Sequence, residues 1–281
     1  MQLVVNDYST GYNGMEVLHN ISFDITENGI YVILGQNGSG KTTLFRGLTG
    51  LLNPYSGYIK CDGIDLRKSN VNITYLTHTL AIPVGLTVLK ILNFFSEIEG
   101  EDHNAVEQVA KRLDLTSILN TNTQNLSQGQ KKRVSLAKSL LKNPDMFIFD
   151  EPTTSLDPII SSEIRNIMRE EAKSKIILYS SHNLYEANDL GNRVILLKEG
   201  KLAYNGKITD VHSSTYRIGI RGIDIEKVYP DAKKEGQYYI VNLNDPSEVS
   251  GILAKLVAFN IRVYEIKEMS NPLEELYGKI L

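Results

Sequence analysis

A single cysteine, Cys61, among 281 residues excludes an internal disulfide. That usage suits a reducing compartment, and the residue reads as a small structural one. Long apolar runs are missing as well: none approaches the ~20 residues a helix needs to cross a bilayer. The first residues, Met1 to Asp7, lack the basic stretch of a secretion signal. The expectation is a soluble cytoplasmic chain whose membrane role, if it has one, comes from a partner. An excess of positive charge is also absent. Thirty lysines and arginines against 33 acids leave a net charge of −3 and a pI of about 6.0. This argues against a nucleic-acid binder that works by bulk electrostatics. There is no internal repeat and no low-complexity tract. What remains is an ordinary globular composition, 42% hydrophobic, with length enough for two domains or one large one.

Against that plain background one segment stands out. Gly35-Gln36-Asn37-Gly38-Ser39-Gly40-Lys41-Thr42 is a complete phosphate-binding loop. Such a loop turns consecutive backbone N–H groups onto an anion, and glycine alone tolerates the backbone angles required. Lys41 is expected to reach the β- and γ-phosphates, and the Thr42 hydroxyl to ligate Mg²⁺. The apolar run Ile30–Leu34 before the loop predicts a strand buried on both faces. Thr42 to Leu51 predicts a helix, which places phosphate at a helix N-terminus.

Further on, Met146-Phe147-Ile148-Phe149 leads into Asp150-Glu151. Ligands of an open parallel sheet gather at the carboxyl ends of its strands. Asp150 is therefore expected to face Mg²⁺ through water, since hard cations prefer oxygen ligands, and Glu151 to lie beside the γ-phosphate and orient or deprotonate water. Leu126-Ser127-Gln128-Gly129-Gln130 precedes a strong helix over 131–141. Ser127 suits an N-cap, and Gly129 allows close approach of a phosphate. Lys131-Lys132-Arg133 reads as a solvated face of that helix. Val106, Val109, Ala110 and Leu113 predict one amphipathic helical face. Ser22–Ile25 alternates as a half-exposed antiparallel strand, and the first ~30 residues read as short strands. Buried strands are predicted again at 176–179 and 194–197, with a tight turn at Glu199-Gly200.

In combination these motifs make the chain resemble the ATP-binding cassette (ABC) ATPases over about residues 1–207. Gly35–Thr42 matches their Walker A motif, 126–130 their signature, and 147–151 their Walker B motif with its catalytic glutamate. Ser155-Leu156-Asp157 is similar to the D-loop, Ser181-His182 to the switch-histidine loop, and Tyr12 to the aromatic residue that stacks on adenine. Such stacking is worth about 1–3 kcal/mol and tolerates any base. The resemblance implies an α/β fold: a P-loop NTPase core with an antiparallel β subdomain and a helical subdomain over about 79–142. A small C-terminal α+β appendix over 211–281 would follow the 1–207 domain.

What the resemblance implies for the site is specific. Glu151, His182 and His78 would be catalytic. Tyr12, Gly35, Gln36, Asn37, Gly38, Ser39, Gly40, Lys41, Thr42, Thr43, Ser127, Gly129, Gln130 and Asp157 would hold nucleotide. Thr42 and Asp150 would hold Mg²⁺. Two cassettes pair head to tail in this family, so Ser127, Gly129 and Gln130 would touch ATP bound to a second ATPase chain, most simply a second copy. Integral membrane subunits would complete a transporter, with this chain on the inner face of the membrane. The segment 80–95, rich in apolar residues, falls where the family meets those subunits. The short tail and its ending, Asn271–Tyr277, look like exporter-type subunits, so efflux is the expected direction. The alternative is a soluble cassette protein such as one serving iron–sulfur assembly.

Two departures matter. Gln128 stands where the family usually has glycine, at a position expected to tolerate a side chain. His78 stands where the family places a glutamine that touches Mg²⁺ and the attacking water. Imidazole is a poor Mg²⁺ ligand and titrates near neutrality. Slow or strongly pH-dependent hydrolysis is the expectation, and a His78→Gln variant with an unchanged rate and pH profile would remove it.

Overall fold

The structure is a computed structural model that describes residues 1–77, 82–100, 103–154, 156–211 and 216–280. The chain divides into two compact units, Met1–Ile208 and Thr209–Leu281.

The first unit opens with two long strands, β1 (Leu3–Tyr12) and β2 (Met15–Ile25), rather than several short ones. Positive φ at Asn13 and Gly14 makes the tight reversal between them. Next come β3 (Gly29–Leu34), α1 (Lys41–Leu48), β4 (Ser56–Cys61), β5 (Ile64–Asp65) and β6 (Ile73–Leu76). Helix α1 is shorter than the predicted 42–51, because Gly50 takes a left-handed φ of 72° and stops it. Three helices follow: α2 (Val88–Glu99), α3 (His103–Arg112) and α4 (Gln128–Leu141). Val106, Ala110 and Leu113 are buried there, on the face their spacing predicted. Then come β7 (Met146–Asp150), α5 (Pro158–Glu171), β8 (Ile176–Ser180), α6 (Leu184–Leu190), β9 (Arg193–Lys198) and β10 (Lys201–Lys207).

Two sheets result. The antiparallel one runs β2-β1-β4-β5, and the larger runs β10-β9-β3-β8-β7-β6. In the larger sheet β9, β3, β8, β7 and β6 are parallel and only β10 is antiparallel. Every residue of β3, β7 and β8 is buried, which explains their unbroken apolar sequence. Leu44, Phe45 and Leu48 of α1 join Leu3, Ile21, Ile148 and Leu178 in one core between the sheets. The carboxyl ends of β3, β7 and β8 lie side by side, and the phosphate loop and both acids of Asp150-Glu151 emerge there.

The second unit is a four-stranded antiparallel sheet, β12-β13-β11-β14, with two helices. Its elements are β11 (Tyr216–Ile223), β12 (Lys233–Glu235), β13 (Tyr238–Leu243), α7 (Val249–Ala258), β14 (Arg262–Glu268) and α8 (Pro272–Ile280). Ile218, Ile220, Leu243, Ile252 and Leu256 form its own core. Among the described residues no helix is long and apolar enough to cross a membrane.

Candidate functional site

The phosphate loop joins β3 to α1, and its geometry depends on glycine. Gly35 has φ 153° and Gly40 φ 102°. A Cβ on Gly35 would overlap the Ser39 hydroxyl and the Leu197 carbonyl. The Gly200 amide donates to the Ser39 carbonyl at 3.1 Å, so the turn between β9 and β10 props the loop from outside. Within the loop the Lys41 ammonium is buried and donates to the carbonyls of Gly35 (2.8 Å) and Gln36 (3.1 Å). Burial pushes its pKa down, partly offset by the nearby charges of Glu151 and Asp150. The Ser39 hydroxyl is buried and has no hydrogen-bond partner. An orphaned donor within this glycine-rich loop is one that a phosphate oxygen would satisfy.

At the end of β7 the Asp150 carboxylate meets three hydroxyls. Thr42 Oγ1 (3.0 Å) and Tyr75 OH (3.1 Å) donate to Oδ2, and Ser180 Oγ (2.7 Å) donates to Oδ1. Thr42 and Asp150 thus present two oxygens at hydrogen-bond distance, a donor set that fits a hard divalent cation. Burial and the Asp150 charge raise the pKa of Tyr75, so its hydroxyl stays protonated and donates. Glu151 follows with φ 52°, a left-handed conformation that is uncommon for glutamate. Its carboxylate Oε1 lies 2.6 Å from His182 Nε2, and Thr154 Oγ1 donates to Oε2 at 3.3 Å. The His182 ring therefore touches the Glu151 carboxylate directly.

Tyr12, at the end of β1, comes beside the first turn of α1. Its hydroxyl is 3.5 Å from Thr43 Oγ1 and accepts from Arg46 Nη1 at 3.1 Å. The Arg46 guanidinium also lies 5.7 Å from the Tyr12 ring centre.

A second group forms where α4 meets α5. Ser127 Oγ accepts from the Gln130 amide (3.2 Å), and Gln130 Oε1 accepts from the Ser127 amide (2.9 Å), a reciprocal capping box. A Cβ on Gly129 would overlap Ile160 Cδ1. Asp157 caps α5 by accepting from the amides of Ile159 and Ile160. Ser127, Gln128 and Asp157 are exposed together at this corner.

The structure corrects one reading. Lys132 and Arg133 do not lie on a solvated face. Arg133 pairs with Asp114 at 3.1 Å and Glu163 at 2.8 Å. Lys132 is only 4% exposed, and burial pushes its pKa down to about 8, opposed by Asp150 and Glu151. Two further residues at the site, Tyr75 and Ser180, went unnoticed in the sequence. Polar positions within otherwise apolar strands are the available signal for both. His78 and Ser155 lie outside the described residues, as does Leu80 of the apolar segment.

A family model described as ABC transporter matches residues 18–154. An uncharacterized ABC transporter ATP-binding protein, YxlF of Bacillus subtilis, is 28% identical over 99% of each chain, the C-terminal unit included. The energy-coupling factor transporter ATP-binding protein EcfA1 of Mycoplasma pneumoniae is 34% identical over 76% of this chain and 82% of its own. Among solved structures, one titled as the ATP-binding subunit of an ABC transporter superposes with a TM-score of 0.69 at 26% identity. It covers 75% of this chain and 92% of its own.

Proposed function

Because the chain belongs to the family of ABC transporter ATP-binding proteins, we propose that two copies of it clamp Mg-ATP and power efflux through separate membrane-embedded subunits. The observation that carries the reading is the convergence of Lys41, Thr42, Asp150, Glu151 and His182 at the ends of β3, β7 and β8. Thr42 and Asp150 are the residues to hold Mg²⁺, which when bound neutralises charge on the β- and γ-phosphates. Lys41, now tied to two carbonyls, reorients to the phosphates. Glu151 takes a proton from water, and His182 holds Glu151 in place until the γ-phosphate competes for its ring. Tyr12 offers a face for adenine.

The exposed corner of Ser127, Gln128 and Asp157 supports the two-chain arrangement. It presents a capped helix N-terminus, which suits an anion supplied by another molecule. The second unit, an antiparallel sheet with its own core, is similar to the α+β appendix of exporter-type subunits, and that resemblance supports the efflux assignment.

Exposed apolar side chains on and before α2 support membrane partners on the inner side of the membrane. Val84 (73% exposed), Phe94 (55%) and Ile98 (60%) stand out in and before α2, while Val88, Ile91 and Leu92 on the same helix are buried. An i, i+4 aromatic–aliphatic pair in water is unusual for a free monomer and suits a docking surface. The test is a Phe94→Ser, Ile98→Ser double variant. Tagged parent protein purified from its own membranes should bring down a multi-span protein. The variant should lose that recovery at least about tenfold while binding ATP normally. Equal recovery by both proteins would refute the docking surface.

A further inference from the structure

We propose that Ser180 is a positioning residue that ties the metal-side carboxylate of Asp150 to the base Glu151. Its hydroxyl donates to Asp150 Oδ1 at 2.7 Å and accepts the Glu151 amide at 3.0 Å. The direction of each bond is forced. An amide N–H can only donate, so the serine oxygen accepts it and keeps its one proton for the carboxylate. Ser180 is 0% exposed, so no water competes for either bond. Strand register accounts for the meeting, since Asp150 and Ser180 are paired residues of the parallel strands β7 and β8. The two side chains therefore leave the sheet on one face.

The amide bond matters because Glu151 holds its left-handed φ only where its surroundings dictate it. One hydroxyl thus sets both the rotation of the Asp150 carboxylate and the point from which the Glu151 side chain departs. Tyr75 acts on the other Asp150 oxygen and leaves Glu151 alone. The inference rests on the assignment of Asp150 to Mg²⁺ and Glu151 to water.

The experiment compares full-length parent, Ser180→Ala and Tyr75→Phe. Trinitrophenyl-ATP is titrated with and without Mg²⁺, and phosphate release is followed separately. For Ser180→Ala, metal-free binding stays within about twofold, and the Mg²⁺ concentration for half-maximal tightening of the analogue rises about tenfold. Its kcat falls about tenfold, the loss expected for one hydrogen bond to a charged group. Tyr75→Phe raises the Mg²⁺ requirement as well, but loses less kcat than Ser180→Ala because the bond from the Glu151 amide to Ser180 stays in place. A parent-like Mg²⁺ requirement and kcat in Ser180→Ala overturn the proposal. So does an equal loss of metal-free binding, the mark of a merely structural role. If Ser180→Ala does not fold, Ser180→Cys, with its weaker donor, must show the same split. A dead Glu151→Gln beside a parent-like Ser180→Ala removes this inference alone, whereas an active Glu151→Gln removes the assignment beneath it.

Discussion

Glu151→Gln stops turnover and leaves nucleotide bound. The amide keeps the size of the side chain and its contact with Thr154, but it cannot take a proton from water. General-base loss costs about 10²–10⁴ in rate. Nothing in the loop changes: Lys41, Ser39 and the glycines are untouched, and the Glu151 backbone keeps its bond to Ser180. The expected state is therefore ATP-loaded and long-lived. In the two-copy arrangement it elutes as a dimer from size-exclusion chromatography in Mg-ATP and as a monomer after ATP is removed. Phosphate release within tenfold of the parent would defeat the base assignment. A monomer with ATP demonstrably bound would defeat the shared site instead, so the two failures are separable.

Lys132→Met stabilises the protein below about pH 8. A lysine moved from 10.5 to about 8 on folding carries a penalty of about 3 kcal/mol while it is charged in both states. The sign follows from proton counting. Between about pH 8 and 10.5 the unfolded chain holds a proton that the folded chain has released, so parent stability rises with pH across that window. The methionine variant has no such proton. Its advantage is full at pH 7, shrinks above about pH 8 and vanishes near 10.5. Methionine also suits the site, since its unbranched stem replaces the lysine stem in volume. Melting temperatures of both proteins at pH 7 and pH 10 measure the difference. A variant less stable than the parent at pH 7 would mean that attraction to Asp150 and Glu151 outweighs desolvation.

The site was legible in the sequence to an uneven degree. Phosphate-loop residues were visible because their chemistry is local. Eight consecutive residues supply the backbone amides, the lysine and the hydroxyl, and glycine is demanded by φ values such as 102° at Gly40. The acids at the end of β7 were visible for a similar reason, as an apolar strand ending abruptly in two carboxylates. The face of α3 followed from period alone. Lys132 was misread because periodicity describes one helix, while its burial depends on what packs over that helix. Its charge looked like a solvent signal. Tyr75 and Ser180 were passed over because a polar position in an apolar strand does not say which residue it will meet. Each lies more than 25 positions from Asp150, and they meet it only when β6, β7 and β8 align. The His182 contact with Glu151 is of the same kind, two loops brought together by neighbouring parallel strands.

By itself, then, the chain dictated everything that depends on contiguous residues: the anion-binding loop, the apolar central strands, the capped helix after Ser127, and the family these imply. Tertiary structure alone decided which hydroxyls surround Asp150, that a lysine is buried near the acids, and which apolar residues of α2 stay in water. The physical reason is register and packing. Hydrogen-bond partners across strands and solvent exposure are properties of pairs of elements, and no single segment encodes its neighbour's position.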